Sequence, residues 1–262
     1  MGAGAASRQP DRTLQQAPDM PGYRLFVALH VISGVIALLS FWTAAWLRKG
    51  SPRHRLVGRA FLVAMCGILA SGVPMTVHFI LTERPVAAAF LGYLLVITGN
   101  AMWMAWRAVT DRRDWRAMVA RPAWRAWMLA TLACGIGVLA LGLARGEALF
   151  MGFSSIGIVV GLQMRQFARR GPKHANWHVV QHYQAILGCG IATHVAFLGI
   201  AMRPAWQWLQ VHAAMPAQLA QLFPWFAPVA VALVAGLWLD RRYARPKPSP
   251  NTAAASAARS PS

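Results

Sequence analysis

The chain has 262 residues, 57% of them hydrophobic and only 13% charged, with a mean hydropathy of +0.42. A soluble domain carries about a quarter charged residues, so a water-soluble globular fold is excluded. The net charge of +19 is strongly basic, but Lys and Arg lie in short runs between apolar blocks and no nucleic-acid-binding motif accompanies them. Nucleic acid is therefore not an expected partner.

Residues 1–22 are polar, rich in Gly, Ala, Gln and Pro, and read as a disordered tail. An apolar block of about 20 residues is long enough to cross a bilayer as a helix. Such blocks at 25–47, 57–81, 86–107, 124–144, 147–165, 178–202 and 222–240 predict seven spans in a single domain, 23–243. The first block is of full span length and reads as retained, not as a cleaved leader. The expected fold class is thus an all-α integral membrane protein, a bundle of about seven transmembrane helices in contact with the lipid bilayer. Residues 203–221 mix Trp, Gln, His and Pro and read as an interfacial segment, with Trp206 and Trp208 at headgroup depth. Residues 244–262, rich in Pro, Ala and Ser, read as a second disordered tail.

Basic residues set the expected orientation. Arg48 to Arg59, Arg107 to Arg125, Arg165 to Lys173 and Arg241 to Arg259 contain twenty of the 26 Lys and Arg residues. These segments alternate with poorly charged ones. The positive-inside rule places them in the cytoplasm, hence the N-terminus outside and the C-terminus cytoplasmic, in a bacterial inner membrane.

Polar residues inside the spans are few. Asp11, Asp19, Glu83, Asp111, Asp114, Glu147 and Asp240 all fall in tails, loops or span ends. A cation-coupled transporter usually keeps a carboxylate within the bilayer, and a hydrolase usually needs an acid–base pair; neither is visible. Cys66, Cys134 and Cys189 lie in apolar blocks and read as small buried hydrophobes.

Histidine remains. His54, His174, His178 and His182 fall at cytoplasmic span ends. His30, His78 and His194 fall in the outer halves of spans one, two and six, and His212 in the interfacial segment. Neutral imidazole is a common axial ligand of haem iron, and bundle cores hold such cofactors between facing helices. Two histidine layers suit an electron carrier that crosses a membrane. The geometry is incomplete: His182 and His194 stand about 18 Å apart along a helix but ~120° apart around it. His178 and His182, at i and i+4, do share a face. The alternative role for each histidine is a polar helix contact or, for His174 beside Lys173, part of an interfacial collar.

"LHVISGVIALLS" (29–40) and "RKGSPRHRLVGRAFLVAM" (48–65) resemble a bacterial family of predicted membrane proteins of unknown function. Its first span has H-x-x-x-G-x-x-A-L, and an H-R-x-x-G-R turn leads into the second span. "WHVVQHYQAILGCGIATHVAF" (177–197) resembles a later family element, in which a Trp and a His precede I-A-T-x-x-A-F. The resemblance implies family histidines at His30, His54 and His182. His194 interrupts the later motif and so departs from the pattern. A looser likeness, of type only, is to transmembrane b-type cytochromes.

Two functions are expected from these features. The first is binding of haem b by His54 and His182, with electron transfer to a donor or acceptor such as a quinone; His178 lines the same cavity. His30, with His194 or His78, would form an outer site. Arg48, Arg53, Arg55 and Arg59 stand ready to pair with haem propionates. The second is a non-enzymatic permease for a small molecule or metal, or a scaffold subunit, without haem.

Overall fold

A computed structural model describes residues 22–246. The predicted tails 1–21 and 247–262 lie outside the described residues. Among those described there is no strand, and seven helices are long and apolar enough to span a membrane. They are α1 (Tyr23–Trp46), α2 (Pro52–Leu81), α3 (Pro85–Thr110), α5 (Pro122–Arg145), α6 (Ala148–Arg170), α7 (Trp177–Ala196, extended by a π-helical turn, Phe197–Ala201) and α9 (Ala217–Tyr243). Two short helices complete the chain: α4 (Trp115–Ala120) and α8 (Arg203–His212).

The helix ends differ from the expected span ends for local reasons. Span two was expected from 57, yet α2 begins at Pro52. Ser51 accepts the His54 backbone N–H at 3.1 Å and Pro52 occupies the first helical position, a strong N-terminal signal. His54 therefore sits inside the first turn of α2 and not in a linker. The segment 203–221 divides into two elements. Its first part is α8, which at 10 residues is about 15 Å long and too short to cross. Its last part already belongs to α9, which starts at Ala217 after Pro216. The Trp206 indole N–H donates to the Leu198 carbonyl at 2.6 Å, in the π-helical turn, while Trp208 is exposed. Residues 244–246, expected to be disordered, are tied down. Asn176 donates to Tyr243 O at 2.7 Å and accepts from Arg245 N at 2.9 Å, and His174 bridges to Pro246.

Two packing units position the histidines. The first is a closed ring of four helices. α1 packs on α2, α2 on α3, α3 on α7 and α7 back on α1. α1 faces α3, and α2 faces α7, across the ring. Its middle is filled by Ala37, Phe61, Ala64, Met65 and Cys189 from three of the four walls, with Ala101 and Met102 of α3 against them. Cys189 is buried there as expected. Cys66, in contrast, points outward and is exposed, its thiol 3.6 Å from the Met102 sulfur.

The second unit is the α5–α6 hairpin, which lies on the far side of α3. Its helices meet closely because Gly135, Gly142, Gly157 and Gly161 have no side chain at the contact. Tyr93 of α3 ties the hairpin to the ring: its hydroxyl donates to Phe153 O at 2.7 Å and accepts from Gly157 N at 3.0 Å. Asn100 of α3 donates to Thr131 Oγ1 of α5 at 3.1 Å, and both are buried. Outside the ring, α9 packs along α7, where Tyr183 donates its hydroxyl to Asp240. The apolar faces of α1 and α9 are largely exposed, as lipid-facing surfaces are in a membrane protein.

Candidate functional site

A seven-residue spacing decides which histidines point into the ring. Seven residues advance a helix by roughly 10 Å and return to within about 20° of the same face. His54 stands seven before Phe61, His182 seven before Cys189 and His30 seven before Ala37. Phe61, Cys189 and Ala37 are all buried in the middle of the ring. His54 and His182 therefore face inward from opposite walls, on the side where α1 and α3 end. His30 faces inward from the other side.

The His54 and His182 rings are fixed in the same way. His54 Nδ1 lies 3.1 Å from the Ala44 carbonyl of α1, and His182 Nδ1 lies 3.0 Å from the Ala105 carbonyl of α3. A carbonyl oxygen only accepts, so each Nδ1 carries the hydrogen. In the neutral ring this leaves the Nε2 lone pair free, the tautomer a metal-bound imidazole uses. His54 and His182 thus lie at one end of the ring, with His178 one turn before His182 on the same face of α7. His178 also lies near Arg112.

Ala44 sits in the last turn of α1, where carbonyls have no partner within the helix. Lys49 shares it: its ammonium donates to Ala44 O at 2.9 Å and Ala45 O at 2.7 Å. Burial lowers the Lys49 pKa below its ordinary value. Lys49 and His54 together therefore close the end of α1, and this holds the His54 ring in place.

The other three expected ligands do not converge. His30 Nδ1 meets Ser71 Oγ at 3.0 Å, and Ser71 passes its own hydrogen to Gly67 O at 2.6 Å. His78 is one heptad beyond Ser71 and stacks on Tyr23, ring centroids 3.9 Å apart; Tyr23 is in turn one heptad before His30. His78 is therefore about 10 Å further out than His30. His194 sits against Phe41 and Trp42 of α1, twelve residues or ~18 Å along α1 from His30. Both of its nitrogens are engaged. Nδ1 lies 2.7 Å from Gly190 O, and Nε2 accepts the Trp42 indole N–H at 3.0 Å. The expected outer pair, His30 with His194 or His78, is thus not formed, because α7 lies shifted along α1. Among the described residues no three His, Cys, Asp or Glu side chains converge as a metal cage.

His174 and His212 stay at the periphery, the latter stacked on Trp208 at 4.7 Å. In the sequence Ser71 shows only as a small packing residue of span two, and nothing there marks Trp42 or the carbonyls of Ala44 and Ala105 as partners of these rings. Only the heptad step from each histidine to a core residue was legible in advance, as the sign of an inward-facing ring.

No protein-family profile, curated protein or solved structure matches the chain.

Proposed function

We propose that this multi-pass membrane protein binds one b-type haem between His54 and His182 and exchanges electrons through it. The observation that carries this reading is the matched pair of free Nε2 atoms, on helices that face each other across a four-helix ring. Bis-histidine ligation needs two such nitrogens and no further protein donor. When bound, the haem iron would supply one-electron chemistry. The chain's own contributions are the two fixed imidazoles, His178 beside them, and Arg48, Arg53, Arg55 and Arg59 on the α1–α2 turn and first turns of α2, suited to anionic propionates. An electron partner dissolved in the bilayer, such as a quinone, suits a site within a membrane helix bundle. A second haem has no comparable support, since His30, His78 and His194 lie at three different levels.

The same reading includes the orientation. Arg107 to Arg125, Arg165 to Lys173 and the end of α9 lie at the end of the bundle that holds His54 and His182. The positive-inside rule assigns that end to the cytoplasm of a bacterial cell. A reporter that fluoresces only in the cytoplasm, fused after the last residue, should be bright; an alkaline phosphatase fusion at the same point should be inactive. Active phosphatase there would reverse the assignment. The family with the H-R-x-x-G-R turn remains our proposal for the chain's relatives.

The test of function is an absorption spectrum of the detergent-purified protein, as isolated and after dithionite, from cells supplied with haem precursor. A sharp Soret band with resolved α and β bands on reduction is expected, at one haem per chain. A colourless protein favours a second reading, in which His54 and His182 only tie α2 to α1 and α7 to α3 through those same carbonyl bonds. The packed middle of the ring gives that reading the form of a scaffold more readily than of a permease, which needs a conduit past Phe61 and Met65.

A further inference from the structure

The loop from α3 to α5 encloses an open depression of about 380 Å³, lined by Thr110, Asp111, Arg112, Arg113, Asp114 and Ala117. Both carboxylates in its wall are already committed. Asp111 accepts from Arg107 Nε at 2.8 Å and from Arg121 Nε at 3.3 Å, so it bridges the end of α3 to the start of α5. Asp114 accepts the backbone N–H groups of Arg116 at 2.8 Å and Ala117 at 3.2 Å. Among the described residues, neither Arg112 nor Arg113 has a carboxylate partner. The wall is also anchored from behind. The Trp115 ring lies over Gly171, where a Cβ would come within 2.9 Å of it, and meets Phe167 edge-on at 5.8 Å.

The depression thus presents two guanidinium groups with no salt-bridge partner among the described residues, beside an Asp114 carboxylate held by backbone N–H groups, at the end of a membrane-spanning helix, the depth at which lipid phosphates lie. One turn before it on α3, Trp106 and Val109 are 49% and 51% exposed and form an apolar strip leading up to the mouth. We propose that this depression binds the headgroup of a cardiolipin-type lipid, its two phosphodiesters on Arg112 and Arg113 and its acyl chains along Trp106 and Val109. Guanidinium matches a phosphate with two parallel hydrogen bonds, and basic pockets between helix ends are suited to such headgroups. The proposal is independent of haem.

The test uses the full-length protein, purified and delipidated in detergent. Cardiolipin, phosphatidylcholine or inorganic phosphate is added. Thermal unfolding and the lipid retained in native mass spectrometry are then read. Cardiolipin should raise the unfolding temperature and leave one bound molecule; the other two should do neither. The R112Q/R113Q variant should bind cardiolipin about thirtyfold more weakly, and Arg84→Gln, at the other end of the bundle, should bind it as wild type. Equal stabilisation by phosphatidylcholine would overturn the proposal. So would a full shift with inorganic phosphate, which would assign the depression to a free anion, or wild-type retention in R112Q/R113Q. If that variant does not fold, R112K/R113K keeps the charge but loses the paired hydrogen bonds; weaker retention is expected, and wild-type retention overturns the proposal.

Discussion

Replacing His182 by Ala should abolish the reduced α band of the purified protein, and His54→Ala should do the same, whereas His194→Ala should leave the band at wild-type height. The contrast follows from the bonds each ring makes. His54 and His182 each spend only Nδ1, on a carbonyl. His194 spends both nitrogens, on Gly190 and Trp42. Loss of a residue that merely supports a metal ligand lowers affinity about 10–100-fold, and loss of the ligand itself should exceed that. Haem content by pyridine haemochrome assay, at equal protein folded by size-exclusion profile, separates a missing ligand from a missing protein. Unchanged spectra in both His54→Ala and His182→Ala would refute the assignment, and a lost band in His194→Ala alone would move it to the other end of α7.

The second large effect is on stability. Gly142→Ala should destabilise the α5–α6 hairpin by about 1–3 kcal/mol, the usual cost of adding atoms to a full interface. A Cβ there would stand 2.9 Å from Met151 N and 3.0 Å from Phe150 Cβ. Main-chain atoms of a packed helix cannot turn aside as a side chain would. Gly157→Ala should act similarly, because its Cβ would meet the Thr131 carbonyl and the Tyr93 hydroxyl, each at 3.0 Å, and disturb the bond that ties the hairpin to the ring. Gly137 sits in α5, as Gly142 does, with open space at its Cβ position. There Ala should be neutral or mildly stabilising, since Ala is the better helix former by up to about 1 kcal/mol. Thermal unfolding of the three variants in one detergent gives the ranking. Gly142→Ala unfolding at or above the temperature of Gly137→Ala would contradict the close contact.

The spans were legible because the bilayer imposes a length: seven apolar blocks are visible without knowing a single contact. Helix ends were less so. Hydropathy starts span two at its first apolar run, whereas the backbone starts it at Ser51-Pro52, a capping signal readable from residue type but overlooked among arginines. The site was half legible. The span ends at which the sequence puts His54 and His182 are where both rings turn inward, each held through Nδ1 by a carbonyl. The expected outer layer fails because depth was judged from span position alone, while the shift of α7 along α1 depends on how Gly190 admits the Phe41 ring, 2.6 Å from where a Cβ would be. No pattern within a single helix encodes such a shift.

The ring also has a history during synthesis. Three of its walls, α1 to α3, emerge from the ribosome in succession, but the fourth, α7, follows only after α5 and α6 have been made. Until then His54 has no counterpart and the Ala105 carbonyl no imidazole. A nascent chain stalled after α6 therefore has three sides of the enclosure and one side open to lipid. Whatever needs both histidines could be taken up only after α7 has been made, and a product that ends after α6 could not hold it.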